Sequence, residues 1–125
     1  MDMKVLIIDD NALVRRIIKS IVADPSVEVT EGEDGADALR LYDLCHPDLV
    51  LMDMKMKVMD GLSATREIIH AHPDAKVVIV TNYDDDQMRE AARSAGAHAL
   101  VAKDDLAELK QFFGENKKDL TGINE

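Results

Sequence analysis

The stretch Leu49-Val50-Leu51-Met52-Asp53 carries an unbroken apolar run straight into an aspartate. A short continuous run of this kind suits a strand buried on both faces of a parallel sheet. A carboxylate at its end is costly to desolvate unless a cation or hydrogen bonds meet it. Three other apolar runs end on polar groups: Lys4 to Ile8 at Asp9-Asp10, Lys76 to Val80 at Thr81, and Ala97 to Ala102 at Lys103. If these runs are parallel neighbours, their ends share the carboxyl rim, where open α/β sheets bind ligands. Three carboxylates in one crevice repel and raise one another's pKa. The usual remedy is a hard divalent cation such as Mg²⁺, which sits on one or two carboxylates plus a phosphate. Lys103 would add a point charge and Thr81 a hydroxyl donor. Together these groups make a site for a phosphoryl group.

The elements that must position them follow from periodicity. Asn11 or Asp10 is the expected N-cap of a helix over Ala12–Ala23. Leu13, Val14, Ile17, Ile18, Ile21 and Val22 form its wide apolar stripe, with Arg15, Arg16 and Lys19 expected to face water. Pro25 ends it. Val27 to Glu31 alternates as a half-exposed strand near the sheet edge. Gly32 to Gly35 is a turn with Asp34 as a cap, and Ala36–Cys45 is a second helix stopped by His46-Pro47. Asp60 caps a third helix over Gly61–Ala71, stopped by His72-Pro73. Asp84-Asp85-Asp86 opens a fourth helix, where negative charge is favourable, and Gly96 is its C′ residue. Leu106, Leu109, Phe112 and Phe113 mark a last helix.

Strand and helix thus alternate five times with short connections. That predicts right-handed crossovers and a doubly wound parallel sheet with helices on both faces. The expected domain is 1–113, with 114–125 a polar tail or the start of a linker.

At 125 residues the chain suits one domain, and 46% hydrophobic content excludes compositional disorder. The formal net charge of −10 argues against direct nucleic-acid binding by this chain. A single cysteine, Cys45, excludes an internal disulfide and fits a reducing, cytoplasmic setting. No apolar run is long enough for a membrane span. The four histidines, the methionines around Asp53 and the acidic run at 84–86 suggest no further site.

The set Asp9-Asp10, Asp53, the Asp53-to-Gly61 loop with Met56 inside it, Thr81 and Lys103 resembles the receiver domain of two-component response regulators over Lys4 to Phe113. The resemblance implies a flavodoxin-like (βα)5 fold with strand order 2-1-3-4-5. It implies that Asp53 is the phosphoacceptor, served by Thr81 and Lys103. Mg²⁺, with Mn²⁺ as the alternative, would be held by Asp9, Asp10, Asp53 and the backbone carbonyl of Lys55. The implied partner is a sensor histidine kinase. Phosphorylation would switch partner binding or homodimerisation, through the first and last helices or the fourth helix and fifth strand, with transcription as an output. Such a domain is not an enzyme beyond its own phosphorylation and dephosphorylation.

Three positions depart from the family pattern. Lys57 stands where most relatives have proline. Leu100 stands where many have an aromatic residue. Asp104 follows Lys103 in place of the common proline, so no cis peptide is expected there. The Lys-Asp-Asp variant is similar to receivers that carry a helix-turn-helix output domain, so the chain reads as a stand-alone regulator or as the receiver of a longer protein.

Three rival readings fit these residues less well. A haloacid-dehalogenase-type aspartyl-phosphate phosphatase needs a second aspartate two residues on, where Lys55 stands. A flavodoxin-like nucleotide or flavin binder needs a Gly-rich phosphate loop, and Asp9-Asp10-Asn11 is none. An interaction domain with a dead site would not need the complete acidic rim. Lys55 itself is expected either to approach the phosphoryl rim and alter dephosphorylation or to point into solvent.

Overall fold

The computed structural model describes residues 2–113, and the expected tail or linker at 114–125 lies outside the described residues. The β-branched apolar runs form β1 (Met3–Ile8), β2 (Val27–Gly32), β3 (Leu49–Asp53), β4 (Val77–Thr81) and β5 (Ala99–Ala102). All pairings are parallel, in the order β2-β1-β3-β4-β5. β3 and β4 are buried at every position, whereas edge strand β2 is largely half-exposed. This is the parallel sheet expected from the alternating pattern, in the flavodoxin-like strand order that the resemblance implies.

Successive strand residues face opposite sides, and that alternation builds two cores. Val5, Ile7, Leu49, Leu51, Val78 and Val80 pack on one face with Ile18 and Val22 of α1 (Ala12–Val22) and with Leu109 and Phe113. Leu6, Ile8, Val50, Met52, Val77 and Ile79 pack on the other with α2 (Ala38–Cys45), α3 (Gly61–Ala71) and α4 (Asp86–Ala95). Among the described residues no helix is long and apolar enough to cross a membrane.

The expected caps are present. The Asn11 side chain accepts from the Leu13 and Val14 N–H groups, Asp60 from Ser63, and Asp85 from Met88. Gly96 closes α4 at φ 95°, a left-handed conformation that suits glycine.

Four expectations need correction. The apolar stripe of α1 is narrower than its sequence suggests: Leu13 and Ile17 are 58% and 43% exposed, because only one flank of the helix reaches the sheet. Arg15 does not face water. Its side chain is only 11% exposed and points back toward the end of β1, as long helical side chains do. The second helix starts later, at Ala38, after a 3₁₀ turn over Gly35–Asp37 that Asp34 caps. The last helix is a 3₁₀ segment, Lys103–Phe112, interrupted at Asp105 (φ −139°, ψ 52°). Its apolar residues still face inward: Leu109 is fully buried and Phe113 nearly so.

Candidate functional site

Sheet register assembles the site. Ile8 pairs with Met52, so Asp9 comes level with Asp53 one step further on. Asp53 pairs with Val80, and Thr81 with Ala102, so Thr81 and Lys103 each follow one residue beyond their strand's last apolar contact. All five predicted side chains, Asp9, Asp10, Asp53, Thr81 and Lys103, therefore line one cavity of about 200 Å³, together with Lys55 and Tyr83.

The acids are unequal. Asp9 is 1% exposed and Asp53 6%, while Asp10 is exposed to solvent. Each offers a carboxylate oxygen within 4.8 Å of the others. Lys103 Nζ lies 2.8 Å from Asp53 Oδ1 and 3.2 Å from Asp9 Oδ2, and so bridges the two buried acids. Burial pushes the Asp53 carboxyl above the ordinary aspartate range; the Lys103 bond offsets part of this, and Asp9 adds to it. Burial works against the Lys103 ammonium, yet its bond to Asp53 and the charges of Asp53 and Asp9 win and raise its pKa. Lys103 is thereby held as a cation beside a desolvated and more basic carboxylate.

One cation does not satisfy the acids. Asp9 Oδ1 accepts from the Asn11 N–H at 2.8 Å, but Oδ2, buried, meets only the Lys103 ammonium at 3.2 Å, which it shares with Asp53. Buried carboxylates that share one cation between them call for an explanation. Three hard oxygen donors so close together fit Mg²⁺.

The loop from Asp53 to α3 forms the second wall. The Gly61 N–H donates to the Met54 carbonyl at 2.8 Å. A Cβ on Gly61 would stand 2.0 Å from the Asp53 carbonyl oxygen, so glycine is required for this close return. Asp34 holds the loop from outside: its carboxylate accepts from Val58 and Met59 at 2.9 Å each, as well as from Ala36. The sequence suggested only the cap to Ala36.

Thr81 is 1% exposed and its Oγ1 accepts from the Tyr83 N–H at 3.1 Å, leaving the hydroxyl proton for another acceptor. The Lys55 ammonium lies 4.8 Å from the Tyr83 ring centroid. Lys55 is exposed, yet it lines the cavity and rests on an aromatic ring at its mouth. Tyr83 escaped the sequence reading, although its position two residues past Thr81 placed it on the same rim. A larger depression of about 450 Å³ lies over α4 and β5, lined by Arg89 and Arg93 among others. Both arginines are already engaged, by Asp84 and Glu90.

Comparison with known proteins agrees with this geometry. The family described as response regulator receiver domain matches residues 5–113. The chain is 36% identical to the uncharacterized transcriptional regulatory protein YhcZ of Bacillus subtilis, covering 97% of this chain and 59% of that protein. It is 38% identical to the chemotaxis protein CheY of Listeria monocytogenes, covering 81% and 86%. A LuxR-family two-component response regulator from Aurantimonas sp. superposes with a TM-score of 0.82 at 31% identity, over 98% of this chain and 87% of that one. The chain spans 59% of YhcZ and 44% of DegU from Brevibacillus brevis, roughly half the length of these transcriptional regulators. With the match running from the first strand to the last buried aromatic, and the acidic rim in place, the chain belongs to the response regulator receiver domain family.

Proposed function

We propose that Asp53 accepts a phosphoryl group from the phosphohistidine of a sensor histidine kinase. Receiver domains bind Mg²⁺ through an acidic cluster and interact with such kinases, and Asp9, Asp10 and Asp53 form such a cluster here. The observation that carries the reading is the single Lys103 ammonium bridging the buried Asp53 and Asp9 carboxylates beside Asp10.

Asp9, Asp10, Asp53 and the Lys55 carbonyl would hold the ion, Mg²⁺ first and Mn²⁺ as a substitute. When bound, the ion supplies positive charge to the phosphoryl oxygens. The chain's own groups do the rest. Lys103 occupies Asp53 Oδ1, which leaves the other oxygen to attack phosphorus in line. The new O–P bond forms as the P–N bond breaks, and the electron pair leaves on the imidazole. Charge on the transferred group is met by the Lys103 ammonium and by the Thr81 hydroxyl, so positioning and electrostatics supply the acceleration. Water later cleaves the acyl phosphate. The chemistry proposed for the domain is its own phosphorylation and dephosphorylation.

Drawing Thr81 and Lys103 onto the phosphoryl oxygens would bias β4, β5 and α4 toward a second arrangement. Leu100 is 8% exposed and packed in the same core as Ala92, so the coupling here does not use an aromatic rotamer at that position. The output would be altered partner binding or homodimerisation, and transcriptional control if a DNA-binding domain is attached.

The test is incubation with a small-molecule phosphodonor and Mg²⁺, read by intact mass. The parent should gain one phosphoryl group and Asp53→Asn none. A label that persists in Asp53→Asn, or that maps to another residue, would overturn the assignment.

A further inference from the structure

We propose that Arg15 is a positioning residue for the metal site, acting through the main chain of Asp9. The inference rests on the reading of the acidic rim as a Mg²⁺ site and adds a residue to it. Arg15 Nη1 donates to the Asp9 carbonyl oxygen, and its Nε donates to Glu31 Oε1 at 2.8 Å. Glu31 lies on β2 opposite Ile7 of β1, and its other oxygen takes Lys19 Nζ at 2.8 Å. The Asp9 N–H donates to the Gly32 carbonyl at 3.1 Å. Both polar groups of the Asp9 main chain are thus fixed, one by β2 and one by Arg15, at the point where the strand turns into α1.

That turn sets the direction of two of the three acids. With the Asp9 peptide held and Asp9 Oδ1 tied to the Asn11 N–H, Oδ2 is left facing the cavity, where only the Lys103 ammonium shared with Asp53 meets it. The planar Arg15 guanidinium serves the Asp9 carbonyl and Glu31 from one fixed fork; a lysine ammonium in its place is a shorter-reaching point charge on a flexible stem and does not hold both in the same geometry. Freed of Arg15, the Asp9-Asp10 peptides can rotate and the oxygen triad loosens. Groups that orient metal ligands from behind typically change metal affinity by about tenfold or more.

Charge and positioning predict opposite signs, which makes the inference testable. Removing a cation near three carboxylates should tighten Mg²⁺ binding if charge alone matters. Losing the orientation of Asp9 should weaken it. Mg²⁺ is titrated by calorimetry into the parent, Arg15→Met, Arg15→Lys, Glu31→Gln and Asp9→Asn, with the Asp10 and Asn11 amide shifts followed by NMR and folding checked by thermal melts. Arg15→Met should bind Mg²⁺ about tenfold more weakly. Arg15→Lys, which keeps the charge, should also be weakened, and it serves as the test if Arg15→Met does not fold. Glu31→Gln, which leaves the bond to the Asp9 carbonyl intact, should stay near the parent although its melting temperature falls. Folded Arg15→Met or Arg15→Lys protein that binds Mg²⁺ as tightly as the parent overturns the inference and leaves the metal site standing. A parent that binds no Mg²⁺, or an Asp9→Asn variant that binds it undiminished, overturns both.

Discussion

Replacing Asp34 by alanine should loosen the wall of the site without touching any residue that would meet the phosphoryl group. The Asp34 carboxylate accepts from Ala36, Val58 and Met59, each at 2.9 Å. Loss of the cap to Ala36 costs about 1 kcal/mol. The two bonds into the loop are charge-assisted, but they lie near solvent, where water replaces part of each, so about 0.5–1 kcal/mol apiece is reasonable. The total is about 2–3 kcal/mol. For a domain of this size that is a fall in melting temperature on the order of 10 °C.

The same bonds give the effect a pH signature. Burial pushes the Asp34 carboxyl up, but the N–H groups of Ala36, Val58, Met59 and Lys57 outweigh it and hold the folded pKa below the usual 3.8. The unfolded chain therefore binds the proton first. The share of the stabilisation that this lowered pKa carries is full above the unfolded pKa and is lost as pH falls through the folded one. Urea unfolding should show parent and Asp34→Ala well apart at pH 7, with the gap narrowing as pH drops below about 4. Amide exchange at Val58 and Met59 should speed up in the variant while exchange in β4 tracks only the global loss. Unchanged exchange at Val58 and Met59 would refute the tether, as would a stability gap that does not narrow in acid.

Three other expectations follow from neighbouring contacts. Lys103→Met leaves Asp9 and Asp53 buried without their cation; breaking such a pair costs about 3–5 kcal/mol when fully buried, and about 2 kcal/mol is expected at this partly open rim. Thermal melts with and without Mg²⁺ should show the loss shrinking when the ion is present, and equal stability without Mg²⁺ would contradict the account. Gly61→Ala places a Cβ against the Asp53 backbone, which cannot yield as a side chain could; a loss of about 3 kcal/mol and weakened Mg²⁺ binding are expected in unfolding and calorimetric titration. Lys55→Ala removes the ammonium resting on Tyr83 at the cavity mouth. Water should then reach the acyl phosphate more readily, and its decay, followed by intact mass, should quicken about two- to fivefold, the worth of an exposed cation–π contact. An unchanged decay rate would mean that Lys55 plays no part.

What the sequence made legible is the part of the site carried by strand ends. A buried strand must stop its apolar run somewhere, and parallel order then brings every stop to one rim, so Asp9, Asp53, Thr81 and Lys103 could be named from residue type and position alone. Helix caps were equally readable, because Asn11, Asp60 and Asp85 act on N–H groups two or three residues away. The contacts that stayed hidden join residues far apart in the chain through side chain and backbone. Arg15 reaches Glu31 and the Asp9 carbonyl, and Asp34 reaches across 24 and 25 residues to Val58 and Met59. Neither has a periodicity to betray it. Arg15 did leave a trace, as a charge set between Val14 and Ile18 on the face that packs inward, and treating it as an interruption of the stripe discarded the signal. The width of the α1 stripe misled for a related reason: six apolar residues in eleven exceed what one sheet face can cover, so Leu13 and Ile17 were left outside. The 3₁₀ form of the last segment was not readable either. Leu106, Leu109 and Phe112 recur every third residue, a spacing that serves a three-residue turn at least as well as a 3.6-residue one. The residues that do the chemistry are thus declared by the strands that end on them, while those that aim the chemistry emerge only once the chain has folded back on itself.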